Sequence, residues 1–304
     1  MPEMNPNGSE TPTGRTPSFG MLLSAIVTLQ LTASFAYPLA KYGLEIIEPL
    51  TFAFYRFGLA SAILLVLARS RNHTVPVARR DWPRIVLLGI LIIPLNQTLF
   101  LVGQSMTAAG HGAFLFATTP IWIFILALIH LKETFLWRRA VGIAMALVGV
   151  TTIMSAGALN VGMEYLLGDV IIVISVIAWA YYTVLGKPLV LKYGALRMTA
   201  YALACGSAIY FPFGLYHAVR FDYSQTTPAA WATVAYMAIG LSLVVYVLWF
   251  WVLKYMDASR IAVYHNMQPV VATTVAILWL GEQAGLAFIV GGAVILAGLV
   301  VTET

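Results

Sequence analysis

Arg56 is the one lysine or arginine of this 304-residue chain that falls well inside an apolar run, about seven residues from one end of it. A guanidinium in hydrocarbon is costly, so it must face a cavity, an anionic partner or backbone carbonyls. No Asp or Glu lies in the middle of any apolar run to neutralise it. Two roles stay open: recognition of a solute carboxylate, or a snorkelling anchor between helices. The other polar side chains at mid-run are amides, hydroxyls and aromatic rings. His265 and Gln268 lie three apart and share a helix face, with Tyr264 and Asn266 beside them. Gln30, Ser34 and Tyr37 stack at i, i+4 and i+7 in the first run, and Ser175, Trp179 and Tyr182 repeat that spacing in the sixth. Asn96 and Gln97 in the third run and Ser242, Tyr246 and Trp249 in the eighth complete the set. A wall rich in rings and amides but poor in charge suits a neutral or zwitterionic solute, since rings supply contact area and amides bond an ammonium or a carboxylate. The same residues could equally form a satisfied packing cluster, and rings near run ends an interfacial belt.

Catalysis finds no support in the spacing. His111 and His265 are scattered, and the lone Cys205 excludes an internal disulfide or a cysteine-based metal cluster. No G-x-x-x-x-G-K-[ST] loop is present to hold a nucleotide. The chain is therefore expected not to be an enzyme and to need no cofactor and no metal.

The elements that position these residues follow from hydropathy. Hydrophobic residues make up 61% of the chain and charged ones only 10%, with a mean hydropathy of +0.87, far from the usual soluble domain. A helix needs about 20 apolar residues to cross roughly 30 Å of hydrocarbon. Such runs fall near 19–41, 49–68, 84–104, 109–130, 138–156, 167–187, 196–218, 230–253, 260–280 and 284–302. Residues 1–18, rich in Pro, Gly, Ser and Thr, read as a flexible tail. The net charge of +5 does not point to nucleic acid, because the basic residues sit in short loops instead of forming a stripe. Fourteen of the seventeen Lys and Arg fall on one side of the alternating runs: Arg15, the 69–84 loop, 132–139, 187–197 and 254–260. Lys41 and Arg220 alone hold the other. By the positive-inside rule the first side is cytoplasmic, and an even number of spans puts both termini there.

An internal repeat divides the chain. Pro120, Glu133, Gly142 and Gly149 recur at a constant offset of 149 as Pro269, Glu282, Gly291 and Gly298. Val141, Ala144 and Leu147 join at the same offset, and Phe35-Ala36-Tyr37 matches Trp179-Ala180-Tyr181 at 144. The halves are 19–159 and 160–304, five runs each. An odd number of spans per half inverts one copy relative to the other, the arrangement of transporters that open a midplane site alternately to either side. The predicted fold is thus an all-α membrane protein of ten transmembrane helices in two inverted five-helix repeats. Glu133 and Glu282 each precede a helix, where a carboxylate meets free N–H groups and the positive dipole end. Pro120 and Pro269 fall in mid-run as hinges or static bends. Gly142, Gly149, Gly291 and Gly298 allow close helix approach.

On the doubled "LKETFLWRRAVGIAMALVGV" and "LGEQAGLAFIVGGAVILAGLV" blocks, each preceded by its proline, and on Arg56-Phe57, the chain resembles the EamA-type drug/metabolite transporters over residues 20–303. Within that superfamily it looks most like the exporters of neutral and aromatic amino acids. The resemblance implies a central cavity surrounded by the helices, with the fifth and tenth peripheral. It also implies a secondary transporter, possessing a small-molecule substrate and a lipid environment, at home in the inner membrane of a bacterium. A transporter of drugs or other metabolites, and a non-transporting scaffold or receptor, are the alternatives. A complete inverted pair in one chain removes the need for a dimer.

Overall fold

The structure is a computed structural model that describes residues 17–71, 75–107, 109–155, 163–268, 270, 271, 274 and 286–303. Among these residues the chain is helical and carries no strand. Eight helices are long and apolar enough to cross a membrane: Pro49–Arg69 (α2), Arg79–Gln104 (α3), Phe114–Leu131 (α4), Trp137–Met154 (α5), Leu166–Tyr193 (α6), Ala195–Arg220 (α7), Pro228–Leu253 (α8) and Leu286–Glu303 (α10). The helix Phe19–Ile46 (α1) precedes them, and Ala258–Val263 (α9) opens a further helical stretch. Residues 269, 272, 273 and 275–285 lie outside the described residues, Pro269 and Glu282 among them, as do the side chains of Tyr37 and His111. The protein is a multi-pass integral membrane protein, in which each span satisfies its own backbone hydrogen bonds. Its outer surface is accordingly apolar: Val66, Ile129, Val219 and Leu286 are each more than 60% exposed.

Local sequence explains the ends. Ser18 Oγ accepts the Met21 N–H to start α1. Pro49 and Pro228 occupy first-turn positions of α2 and α8, where a missing N–H costs nothing, and Thr227 caps the latter through the Ala230 N–H. In the connection before α8 the Asp222 carboxylate accepts the Ser224 N–H at 2.9 Å, which holds its carboxyl below the ordinary range. Several boundaries differ from the sequence reading: α1 runs to Ile46 past its expected end at 41, and α3 begins at Arg79 instead of 84. α6 runs past its expected end at 187, through Pro188 to Tyr193, because Lys187 and Lys192 are not free loop cations but are tied to Glu133 and Asp81.

Two closely packed pairs frame the bundle. Ser61 and Ser207 hydroxyls join α2 to α7 at 2.8 Å. α5 lies along α10 so closely that a Cβ added at Gly149 would stand 2.5 Å from the Gly291 carbonyl oxygen, and one at Gly291 would stand 2.5 Å from that of Gly149. Gly142 and Gly298 face each other in the same reciprocal way, at 2.5 and 2.7 Å. The two contacts are related by the repeat: the counterparts of Gly149 and Gly291 are Gly298 and Gly142, which meet likewise.

Pro120 does interrupt its helix. The α4 region divides into Ala109–Ala117 and Thr119–Leu126, with Pro120 in the first turn of the second piece. The Phe116 carbonyl, which has no N–H to accept from Pro120, takes the Thr119 hydroxyl instead. Lys132 then leaves the helix in the left-handed region, at φ 54°, and the turn sends Glu133 away from the helix that follows it. Its carboxylate caps α9, accepting the Ala258 N–H at 2.7 Å and the Ser259 N–H and hydroxyl at 3.3 and 2.6 Å. Glu133 thus caps a helix far along the chain and not the one immediately after it.

Candidate functional site

A cavity with about 1030 Å³ of empty space, its open mouth included, lies between α1, α2, α3, α4, α6, α8 and the stretch after α9. Its lining begins with Leu44, Phe52 and Met237, near helix ends opposite the basic loops, and reaches Trp179, Trp249 and His265 at depth. None of the basic loop residues lines it. Beneath the deep end, Tyr182 stacks on Phe250 at 4.7 Å, and the Trp249 indole N–H donates to Thr183 Oγ1 at 3.1 Å.

Arg56 lines the cavity with 6% of its surface exposed. Its Nε donates to Ser242 Oγ at 2.9 Å and its NH1 to Gln97 Oε1 at 3.2 Å, while NH2 makes no close hydrogen bond and the guanidinium lies beside the Tyr246 hydroxyl and over the Phe57 ring. Gln97 Nε2 in turn donates to Asn96 Oδ1 at 2.6 Å, and Asn96 Nδ2 to the Ser175 carbonyl at 2.8 Å. One guanidinium thereby ties α2 to α3 and α8, and through Asn96 to α6. Both of its acceptors are neutral oxygens, and no carboxylate is found among the described lining residues. Both also sit in π-helical segments, Leu91–Thr98 of α3 and Met237–Val245 of α8. The wide turn is rare, recurs at functional sites and changes which side chains of a span face inward. In the first segment Pro94 removes an N–H, and Thr98 Oγ1 reaches back five residues to the Ile93 carbonyl at 3.1 Å.

Trp179 is the hub of the deep end. Its ring lies 5.6 Å from those of Tyr182, Tyr246 and Trp249 and 6.0 Å from His265. Phe116 stacks on the other side of His265, also at 6.0 Å. Of the sequence-predicted residues, Arg56, Gln97, Trp179, Tyr246, His265 and Gln268 line the cavity together. Gln30, Ser34, Asn96 and Tyr182 are buried behind that wall, where Ser34 Oγ donates to the Gln268 carbonyl at 3.4 Å. Tyr264 is turned away: successive helical residues point about 100° apart, and its hydroxyl lies beside Glu303 and Arg260 on the basic face. Phe52, Phe100 and Phe116 line the cavity without having been singled out. For Phe116 a signal existed, since the 149 offset pairs it with His265.

Comparison with known proteins settles the family. The model of the EamA-like transporter family matches twice, at residues 19–155 and 166–304. The chain belongs to the EamA-like transporter family. A transporter of Archaeoglobus fulgidus is 29% identical over 286 residues, covering 92% of this chain and 96% of its own. The transporter YyaM of Bacillus subtilis is 27% identical, over 86% of this chain and 87% of its own. A protein of Streptantibioticus cattleyicolor named as a probable terminal-alkyne amino-acid exporter is 27% identical, over 90% of this chain and 91% of its own. A crystal structure of a protein 16% identical superposes with a TM-score of 0.77, covering 93% of this chain and 97% of that one, so the EamA-like transporter shares its fold.

Proposed function

We propose that this EamA-like transporter exports neutral or aromatic amino acids, or similar small carboxylates, by alternating access through the cavity at Arg56. The observation that carries the reading is the buried guanidinium in the cavity wall with a nitrogen that makes no close hydrogen bond and no carboxylate beside it. A buried charge of this kind is completed by an anionic group. The aromatic deep end supplies apolar contact for a side chain. The amino-acid exporter among the relatives agrees with that substrate class.

The same reading holds that the chain has ten spans in two inverted repeats, 19–159 and 160–304, with the tail 1–18 and both termini in the cytoplasm of a bacterial cell. The reciprocal glycine contacts of α5 and α10 support the inversion, since a two-fold axis requires that if one residue meets a partner, their counterparts meet likewise. The basic loops support the direction. They gather on one face, where Asp81 meets Lys192, Glu133 meets Lys187, and Arg260 meets Glu303. A full pair of repeats in one chain supports a monomer as the working unit.

Counterflow in proteoliposomes tests the function. Vesicles loaded with unlabelled phenylalanine, leucine or tryptophan should accumulate the labelled amino acid saturably, and empty vesicles should not. The absence of saturable exchange of any neutral amino acid, with and without a pH gradient, would overturn the proposal.

A further inference from the structure

Beyond the aromatic layer under the cavity's deep end, four charged side chains from four places along the chain meet on the basic face. Glu133 stands in the turn after α4, Arg139 in the first turn of α5, Lys187 near the end of α6 and Asp257 just before α9. Lys187 Nζ lies 3.3 Å from Glu133 Oε1 and 3.8 Å from Asp257 Oδ1, and also donates to the Met256 carbonyl at 2.9 Å. Arg139 NH2 donates to Asp257 Oδ2 at 2.6 Å and NH1 to Ser259 Oγ at 2.8 Å, while NH1 stands 3.6 Å from Glu133 Oε2. The Glu133, Arg139 and Lys187 side chains are only 7, 10 and 15% exposed. Two cations and two anions balance, and the cap on α9 satisfies the remaining carboxylate oxygens. Such a group sets geometry more than it adds stability, because removing one of the three buried members strands the other two, while Asp257, 48% exposed, keeps contact with solvent.

The repeat shows what the opposite face has in its stead. At the offset of 149, Glu133 corresponds to Glu282, Arg139 to Phe288, Asp257 to Ala108 and Ser259 to Gly110. At 144, Lys187 corresponds to Gly43. Only the carboxylate has a counterpart. Gly43 also has no room for a long side chain, because any Cβ there would run into Thr233. The equivalent positions of the other half therefore lack the residues for the same ionic group.

Resting on the alternating-access reading above, we infer that Glu133, Arg139, Lys187 and Asp257 form a one-sided lock that holds the transporter shut toward the cytoplasm. The state open to the outside is the resting state, and the lock must break in every cycle. A ligand or a mutation can move such an equilibrium only by its differential effect on the two states. Neutralising the lock acts on the inward-closed state alone.

The test is a distance measurement on the full chain in lipid vesicles. With Cys205 replaced by serine, spin labels at Leu136→Cys and Leu191→Cys span the lock, and a second pair at Tyr42→Cys and Tyr223→Cys spans the opposite face. The unaltered lock should give one short population across Leu136 and Leu191. Glu133→Gln and Lys187→Gln should each raise the ratio of long to short distances about tenfold or more, the scale expected when a buried ion pair loses one member, and shorten the opposite pair. The double variant should add little to either single one, because either change already opens the same lock. If one variant does not fold, the other carries the measurement. Unchanged distributions on both faces overturn the lock. A distance shift in a protein that shows no counterflow removes the transport reading and leaves the lock standing.

Discussion

Arg56→Met is expected to reduce exchange of amino acids by ~30-fold or more while leaving exchange of the corresponding carboxamides within ~3-fold of the original. A hydrogen bond to a charged group contributes about 1.5–3 kcal/mol, and the difference between carboxylate and carboxamide isolates that contribution. The comparison separates the two roles that the sequence leaves open. If Arg56 chiefly anchors helices, through Ser242 on α8 and Gln97 on α3, its loss damages the cavity for every solute and both rates fall together. If it meets the solute, only the carboxylate suffers. Arg56→Lys sharpens the point. It keeps the charge but loses the planar fork that holds Ser242, Gln97 and a third partner at once, so an intermediate loss confined to carboxylates is expected. Initial rates of counterflow for each solute pair, at concentrations spanning the apparent KM, provide the measurement.

Much of this site could be read from sequence because the bilayer makes polar residues conspicuous. Arg56, His265 and Gln268 stand out against apolar neighbours, and all three line the cavity. The i, i+4, i+7 spacing found Trp179, the hub of the deep end, because an α-helix keeps such residues on one face. What was hidden depends on geometry with no hydropathic signature. The π turns place Gln97 and Ser242 against Arg56, yet in the second segment, Met237–Val245, no proline marks the change of pitch. Tyr264 was grouped with His265 by adjacency, although adjacency on a helix means divergent directions. Glu133 was recognised as a cap from its place before a helix, but the left-handed turn at Lys132 that redirects it to α9 has no glycine or asparagine to announce it. Phe116 shows the opposite case. It is invisible as one more apolar residue, but the repeat register aligns it with His265, and residues near a pseudo-two-fold axis meet their own counterparts.

That axis makes its strongest claim at α5 and α10, where Gly149→Ala is expected to lower the apparent Tm in detergent by roughly 2–12 °C. The added methyl would meet the Gly291 carbonyl oxygen at 2.5 Å, and the Ile295 nitrogen lies 2.9 Å away. Backbone atoms cannot swing aside as a side chain can, so the helices must separate. Overpacking of this kind costs about 1–3 kcal/mol, and each kcal/mol moves Tm by about 2–4 °C in a chain of this size. Gly292→Ala is the control: its methyl meets nothing nearer than Val270 Cγ1 at 3.9 Å, so its Tm should stay within ~1 °C, although it differs by one position from Gly291. Reciprocity adds a second expectation. Gly291→Ala should cost about as much as Gly149→Ala, because each methyl strikes the other's carbonyl, and the double variant should cost clearly less than the two together. Once one methyl has pushed the helices apart, the second enters a gap already made. Full additivity would mean that the two glycines act at separate contacts, and the close antiparallel approach of α5 and α10, with the inverted symmetry it supports, would have to be abandoned.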